Sequence, residues 1–251
     1  SSAASDGNKR QGFKVPPYDL ALFYFDHVPF GGNGIRILPN QNLVPEESDT
    51  YEVGLQGTVG DLTYDLRAYL SEYDNFISIE FLETVVEPGF FGPINVDVSQ
   101  YQNLESVEIK GAEIKLEQAL TDSVSIFLNG SYMDGQDTTT NEYIRTTMPL
   151  SGNLGVNYTG LSWYARGALR FADAMGKFNA GDMTTAGYGV LDLMAGYRLG
   201  EQWEFNLSLL NILDNEYLHY SSVAGTLDDG RDLSPQTEPG RSISARVSFT
   251  F

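Results

Sequence analysis

Apolar residues recur at every second position through segment after segment of this chain, and the connections between those segments alternate between short and long. Tyr51, Val53, Leu55 and Val59 alternate with Glu52, Gly54, Gln56 and Thr58; after Gly60-Asp61 the pattern resumes in Leu62, Tyr64, Leu66, Ala68 and Leu70. A period of two makes a strand with one apolar and one polar face, and two strands joined by two residues make a hairpin. The same reading covers Val124 to Tyr132, Leu150 to Tyr158, Leu161 to Phe171, Leu191 to Leu199 and Trp203 to Leu209. It closes on Ile243, Ala245, Val247, Phe249 and Phe251, set against Ser242, Ser244, Arg246, Ser248 and Thr250. With the first residues of the chain, this predicts about ten strands.

Short connections fall at 60–61, 119–122, 159–160 and 200–202, and long ones near 15–46, 81–98, 135–146, 172–185 and 214–240. Every short turn then lies at one end of the strands and every long loop at the other. Barrels that cross an outer membrane are built this way, whereas a β-sandwich has no reason to be. Tyr64, Tyr158, Trp163, Tyr197 and Trp203 stand on the apolar face within a few residues of a short turn, where a bilayer interface favours amphipathic rings. The expected fold is all-β, an antiparallel transmembrane β-barrel meander.

Two finer expectations follow from the alternation. The strand over 99–118 changes the parity of its apolar set between Val107-Ile109 and Ile114-Leu116, which predicts a β-bulge at Gly111-Ala112 and a polar row of Glu108, Lys110, Glu113, Lys115 and Glu117. Arg67, Lys110, Arg166, Arg198 and Arg246 should share the polar face, and Leu66, Leu128, Trp163, Leu193 and Phe249 the apolar one.

Composition removes several function classes. A net charge of −19 is incompatible with nucleic-acid binding, which needs basic groups against phosphate. Without cysteine there is no disulfide framework and no thiolate ligand or nucleophile. No apolar run of transmembrane-helix length occurs, and SSAASDGNKR lacks the apolar stretch of a signal peptide. Neither histidine, His27 or His219, stands in a Ser/His/Asp pattern, so no enzyme is expected; His219 reads as a loop position. Asp214, Glu216, Asp228, Asp229 and Asp232 lack the spacing of a calcium loop.

Five stretches carry a family likeness: Gly12–Pro17 (GFKVPP), Asn40–Leu55 (NQNLVPEESDTYEVGL), Val107–Ile114 (VEIKGAEI), Leu209–Tyr217 (LLNILDNEY) and Glu238–Ser242 (EPGRS) ahead of the terminal aromatic strand. In this order they resemble the C-terminal part of a TonB-dependent outer-membrane receptor, particularly its haem and haemoglobin branch. The resemblance implies a barrel of about 22 strands around an N-terminal plug, with residues 1–251 as the final barrel portion and no plug or TonB box among them. A sheet of about ten strands should then be curved but open, with its first and last strands as edges.

The resemblance also implies a cargo and partners. In the haem branch a loop histidine between two sequence boxes coordinates haem iron; here Phe13–Pro16 and Asn40–Leu43 stand for the boxes, and His27 lies between them. Tyr24 is the alternative metal ligand, and Phe23, Phe25 and Phe30 would stack on the porphyrin. Haem would be a transported ligand, with no permanently bound cofactor. The partners implied are outer-membrane lipid, the TonB energising complex, and haem, a haem protein or a siderophore. Val247, Phe249 and Phe251 resemble an outer-membrane assembly signal. A siderophore or other nutrient receptor and a small stand-alone barrel or adhesin remain open at this point.

Overall fold

In the computed structural model, which describes residues 2–27, 34–228, 230 and 232–250, the alternating segments form one sheet. Strand β1 (Ser2–Lys14) leads to the short helix α1 (Tyr18–Leu22) and the short strands β2 (Phe25–His27) and β3 (Gly34–Leu38). Then follow β4 (Glu46–Val59), β5 (Leu62–Gly89), β6 (Gly92–Thr121), β7 (Val124–Asp137), β8 (Ser151–Thr159), β9 (Trp163–Ala172), β10 (Tyr188–Leu199), β11 (Trp203–Leu210) and β12 (Ser242–Phe249). The main path runs β1-β4-β5-β6-β7-β8-β9-β10-β11-β12, antiparallel and in chain order. Among the described residues β1 pairs only with β4 and β12 only with β11, so the sheet is open.

Two of the four short turns stand where the alternation places them, at 60–61 and 200–202, and the other two are displaced by one to three residues, to 122–123 and 160–162. Val59 pairs with Leu62 across Gly60-Asp61, and Gly60 takes the left-handed φ of 59° that lets the chain reverse in two residues. Gly200, with φ of 62°, opens the three-residue reversal between Leu199 and Trp203 that joins β10 and β11.

The register also sorts the side chains. Leu66, Leu128, Trp163, Leu193 and Phe249 fall on one face, and Arg67, Arg166, Arg198 and Arg246 on the other. The apolar face is open: Trp163 is 57% exposed and Val247 59%. A contiguous apolar surface spread over ten strands is unsuited to water and suited to hydrocarbon.

Lys110 departs from the expectation, because it pairs with Leu70 and shares the pleat side of Leu66 and Ile114. Nor is there a bulge at Gly111-Ala112: the pairs Lys110↔Leu70, Gly111↔Tyr69 and Ala112↔Ala68 are continuous, and the register shifts lie instead at Phe81/Glu83 and Ala119/Thr121. The expected polar row is therefore divided, with Glu108 and Lys110 on one side and Glu113, Lys115 and Glu117 on the other. Strand phase is constant, and what changes is the medium each face meets. Beyond Ala112 the face that was apolar turns polar, as expected of a strand that continues past the edge of a hydrocarbon layer.

That continuation also replaces the long loop expected over 81–98. Strands β5 and β6 remain paired out to Gly89↔Gly92 and turn tightly at Phe90-Phe91. Clear of the lipid level neither face need be apolar, so pairing persists without alternation. Beyond Val107↔Asp137 strand β7 no longer covers β6, and the exposed backbone edge is taken up by β3, which adds in parallel from Gly34↔Val96 to Leu38↔Gln100. Thus β2 and β3, inside an expected loop, bring the strands of the sheet to twelve among the described residues.

At the same end, Met175 and Met183 from the β9–β10 connection bury against Tyr220 and Val223 from the β11–β12 connection, with Met148, Ala224 and Leu233 around them. This small cluster holds the long connections together over the ends of the strands.

Candidate functional site

Two clusters of side chains stand out at the long-connection end. The first is built on β2 and β3. Asp26 pairs with Arg36 and His27 with Ile35 across this two-stranded unit. Arg36 donates from Nη2 to Asp26 Oδ2 at 2.9 Å and from Nη1 to Glu87 Oε1 at 2.7 Å, and Tyr24 Oη donates to Asp26 Oδ2 at 3.0 Å. The Arg36 guanidinium also lies 5.9 Å from the centre of the Tyr24 ring. One arginine thereby fastens the strand carrying His27 to the β5–β6 ribbon. Its hydrogen bond holds the Asp26 carboxyl below the usual carboxylate range, while desolvation first and the Asp26 hydrogen bond second push the Tyr24 phenol up.

Because side chains alternate along a strand, Asp26 and Tyr24 face the Arg36 side, and Phe25 and His27 face the other. Phe23, Tyr24, Phe25 and His27 are all exposed. The structure thus brings Tyr24 to Asp26 and Arg36, and sets His27 beside Phe25 in a row with Ile35 and Asp97. Phe30 lies outside the described residues. Arg36 was not singled out in the sequence, though it is the lone charge in the apolar strand GIRIL, a pattern that marks a paired cation.

The second cluster is on the polar face where β9 and β10 meet the β11–β12 connection. Arg170 donates from Nε to Asp192 Oδ2 at 2.6 Å and from Nη1 to Tyr217 Oη at 3.4 Å, and Asp192 Oδ1 accepts the Asn211 backbone N–H at 2.9 Å. The Tyr188 and Tyr217 rings lie 4.5 Å apart between centroids. His219 meets both rings edge-on, and its Nδ1 is 2.9 Å from Tyr188 Oη. Its Nε2 faces Glu238 Oε1 at 3.9 Å. His219, expected on a loop surface, is half-buried in this group, and Arg170 pairs with Asp192. The sequence signal was Asp192 itself, a carboxylate within the otherwise uncharged stretch YGVLDLMAGY.

Two of the acidic residues of the last connection serve as struts, and Asp229 lies outside the described residues. Asp214 Oδ1 accepts the Arg241 N–H at 2.7 Å, and Asp232 Oδ1 accepts the Ser234 N–H and hydroxyl at 3.0 and 2.6 Å. At the terminal strand, Val247 pairs with Phe205, and the Phe249 ring packs 4.7 Å from that of Trp203. Phe251 lies outside the described residues.

A family model described as "TonB dependent receptor-like, beta-barrel" matches residues 9–212. The chain belongs to that family. Among curated relatives, this TonB-dependent receptor barrel is similar to a vitamin B12 transporter, BtuB, of Photobacterium profundum, at 25% identity over 84% of the chain and 31% of that protein. It is also similar to a hemin receptor of Yersinia enterocolitica, at 27% identity over 90% of the chain and 35% of that protein. The chain thus spans about a third of the length of these relatives. Among solved structures, the copper transporter OprC superposes with a TM-score of 0.77 at 19% identity, over 99% of the chain and 37% of that one. A ferric enterobactin receptor of Pseudomonas aeruginosa superposes with a TM-score of 0.72 at 16% identity, over 99% and 38%. The fold is therefore part of a larger TonB-dependent barrel, which accounts for the open edges at β1 and β12. The relatives are transporters and receptors rather than enzymes, and receptors of this family bind transported ligands rather than permanent cofactors.

Proposed function

We propose that this chain is the C-terminal barrel portion of an outer-membrane receptor that takes up an iron source, haem, by TonB-dependent transport. The observation that carries the reading is the exposed presentation of His27 beside Phe25, with Phe23 also exposed, on a strand pair fastened by Arg36 to Asp26 and Glu87. An exposed imidazole on a fastened strand, flanked by exposed rings, is suited to an iron porphyrin. The imidazole occupies an axial position of the iron, and the rings cover the porphyrin face. Tyr24 stands on the opposite side of the strand, tied to Asp26, and would have to leave that hydrogen bond to reach the same iron.

In this reading the apolar face meets outer-membrane lipid, and the polar face, with Arg67, Arg166, Arg198 and Arg246, lines the lumen and meets the plug. Energy from the TonB complex acts through that plug, encoded outside residues 1–251. The similarity to the hemin receptor favours haem, and the fold shared with the ferric enterobactin receptor favours a second reading, a ferric siderophore.

Hemin titration of the full-length receptor, followed in the Soret region, tests the first reading. His27→Ala should bind hemin at least about tenfold more weakly than the wild type. Equal affinity removes His27 from the site, and a wild type that binds a ferric siderophore but no hemin establishes the second reading.

A further inference from the structure

Among the described residues, the basic side chains on the ten strands of the main path lie on the polar face, with two exceptions. Lys9 and Lys110 fall on the side of the pleat that carries Leu55, Leu66 and Ile114. Both stand on one rung of the sheet, in the pairing series Lys9↔Tyr51↔Leu70↔Lys110↔Asp134. Lys177, from the β9–β10 connection, reaches the same rung: its Nζ lies 2.9 Å from Asp134 Oδ2 and 4.2 Å from the centre of the Tyr132 ring. Lys9 Nζ is 3.3 Å from Asp49 Oδ2 and 5.2 Å from the centre of the Tyr51 ring, and Lys110 Nζ is 2.8 Å from Glu108 Oε1. Three ammonium groups are thus set at the level where the apolar band gives way towards the long connections. The next two rungs carry carboxylates on the same side, Asp49, Glu72 and Glu108 and then Glu47 and Asp74. At the short-turn end the band closes on aromatic rings such as Tyr64, Trp163 and Trp203, with no lysine or arginine beside them on that side of a described strand.

We propose that Lys9, Lys110 and Lys177 form a docking level for the phosphate groups of a phosphorylated glycolipid in the outer leaflet of the outer membrane. The inference rests on the outer-membrane reading above and is independent of the cargo. Barrels of this kind turn their short connections to the periplasm and their long ones outward, so the lysine rung lies at the outer surface of the bilayer. The site continues the lipid-facing surface: Val53 and Leu55, next below the rung on the same side, are exposed and would meet the acyl chains. Tyr51 and Tyr132, also exposed, stand where an interface favours amphipathic rings and hold the lysine stems along the wall. An ammonium group has three donors and no acceptor, and each of these lysines uses no more than two on the neighbours just named, so a donor remains for a phosphate oxygen. Lys9 and Lys110 spring from strands three spacings apart, about 14 Å, and therefore meet separate phosphates. A zwitterionic headgroup would bring a cation of its own against the lysines, so a headgroup bearing more than one phosphate and no cation fits better. The carboxylates on the rungs above repel phosphate, and the hydrocarbon below excludes it, which fixes the headgroup at one depth.

The test is titration of the full-length receptor in detergent with lipid A bearing two phosphates, read by native mass spectrometry. The proteins are the wild type, the triple variant Lys9→Gln/Lys110→Gln/Lys177→Gln, and Lys115→Gln, which removes an ammonium from the polar face. The triple variant should bind lipid A at least about tenfold more weakly than the wild type, and Lys115→Gln should bind like the wild type. Dephosphorylated lipid A should bind the wild type and the triple variant alike, and more weakly than the phosphorylated form binds the wild type. Equal affinity of the wild type and the triple variant for lipid A, or of the wild type for the two lipids, would leave acyl contact alone and overturn the inference. Displacement of lipid A by an equal concentration of inorganic phosphate would make this a site for a soluble anion and overturn it too, as would a loss in Lys115→Gln as large as that in the triple variant. If the triple variant does not assemble, Lys9→Gln and Lys110→Gln decide: each should bind about threefold more weakly, and wild-type affinity in both overturns the inference. Membrane fractionation tests the underlying reading by itself. A wild type absent from the outer membrane overturns that reading and the inference with it, whereas a wild type found there with lysines that leave lipid A binding unchanged overturns the inference alone.

Discussion

Arg170 and Asp192 meet diagonally across β9 and β10, two residues out of register, Nε to Oδ2 at 2.6 Å, and the second oxygen of Asp192 accepts the backbone N–H of Asn211, where the chain leaves β11. A single carboxylate thus ties two strands of the wall to the start of the last long connection. Asp192 is 5% exposed and Asn211 2%, so neither finds water as a substitute partner.

Replacing Asp192 should therefore destabilise the barrel wall. In Asp192→Ala the Asn211 N–H loses its acceptor in a buried position, at a cost of about 1–3 kcal/mol. Arg170 loses less, being more than a third exposed. Asp192→Asn keeps one acceptor and should recover much of the loss. Thermal unfolding of the full-length receptor in detergent, read by the change in its electrophoretic mobility, should rank wild type above Asn and Asn above Ala. Equal midpoints for the wild type and Ala would show the contact to be energetically idle.

Gly196 and Tyr164 are directly paired across β10 and β9, and the tyrosine ring lies over the glycine, reaching Glu204 and Asn206 on β11. A Cβ at position 196 would fall within the ring. Gly196→Ala should consequently cost about 1–3 kcal/mol through displacement of Tyr164. The same substitution in a Tyr164→Ala background should cost markedly less. Additive losses in the double variant would place the strain elsewhere.

How far the sequence foretold this arrangement depends on what each face of each strand touches. Leu66, Leu128, Trp163, Leu193 and Phe249 were assignable to one face because hydrocarbon imposes apolar side chains there, and the short turns to within a few residues because tight reversals favour residues such as Gly60. Where strands leave the lipid level that rule ends. Residues 81–98 pair as strand despite irregular patterning, and Lys110 and Glu108 sit on the side that carries Ile114 lower down, so a change of medium mimicked a bulge. The site was legible in part: His27 and its aromatic neighbours could be located by their place between two boxes. The Arg36 clamp joins residues 51 apart in the chain, Arg36 to Glu87, and the Tyr188–His219 contact joins residues 31 apart. Local pattern carries no record of such pairs.

The terminal strand yields a prediction about assembly. Phe249 packs against Trp203, and Val247 pairs with Phe205, so the last apolar residues are already engaged with β11 in the folded sheet. Phe249→Ala should lower stability of the assembled barrel by roughly 3 kcal/mol or less, since the ring is only partly buried. Deletion of Phe251 from the full-length parent should instead lower the amount of receptor reaching the outer membrane. Membrane fractionation with a thermal measurement on the assembled protein separates the two effects. Normal assembly after the deletion would leave Phe251 with no role as a targeting signal.

The last prediction concerns acid. Arg36 and Tyr24 both donate to Asp26, and the Arg36 bond holds the Asp26 carboxyl below its ordinary value of about 3.9. A group whose folded-state pKa is depressed stabilises the fold above its unfolded value, and that contribution is lost as pH falls through the folded one. The attachment of β2 to β3 should therefore be constant from neutral pH down to about 4 and weaken below it. Asp26→Asn should be weakened already at neutral pH and should show little further loss in acid. Amide hydrogen exchange of residues 24–27 and 34–38, corrected for the intrinsic dependence of exchange on pH, reads this directly. If the wild type keeps full protection through pH 3, or Asp26→Asn is protected like the wild type at neutral pH, the carboxylate is not what fastens the strand that bears His27.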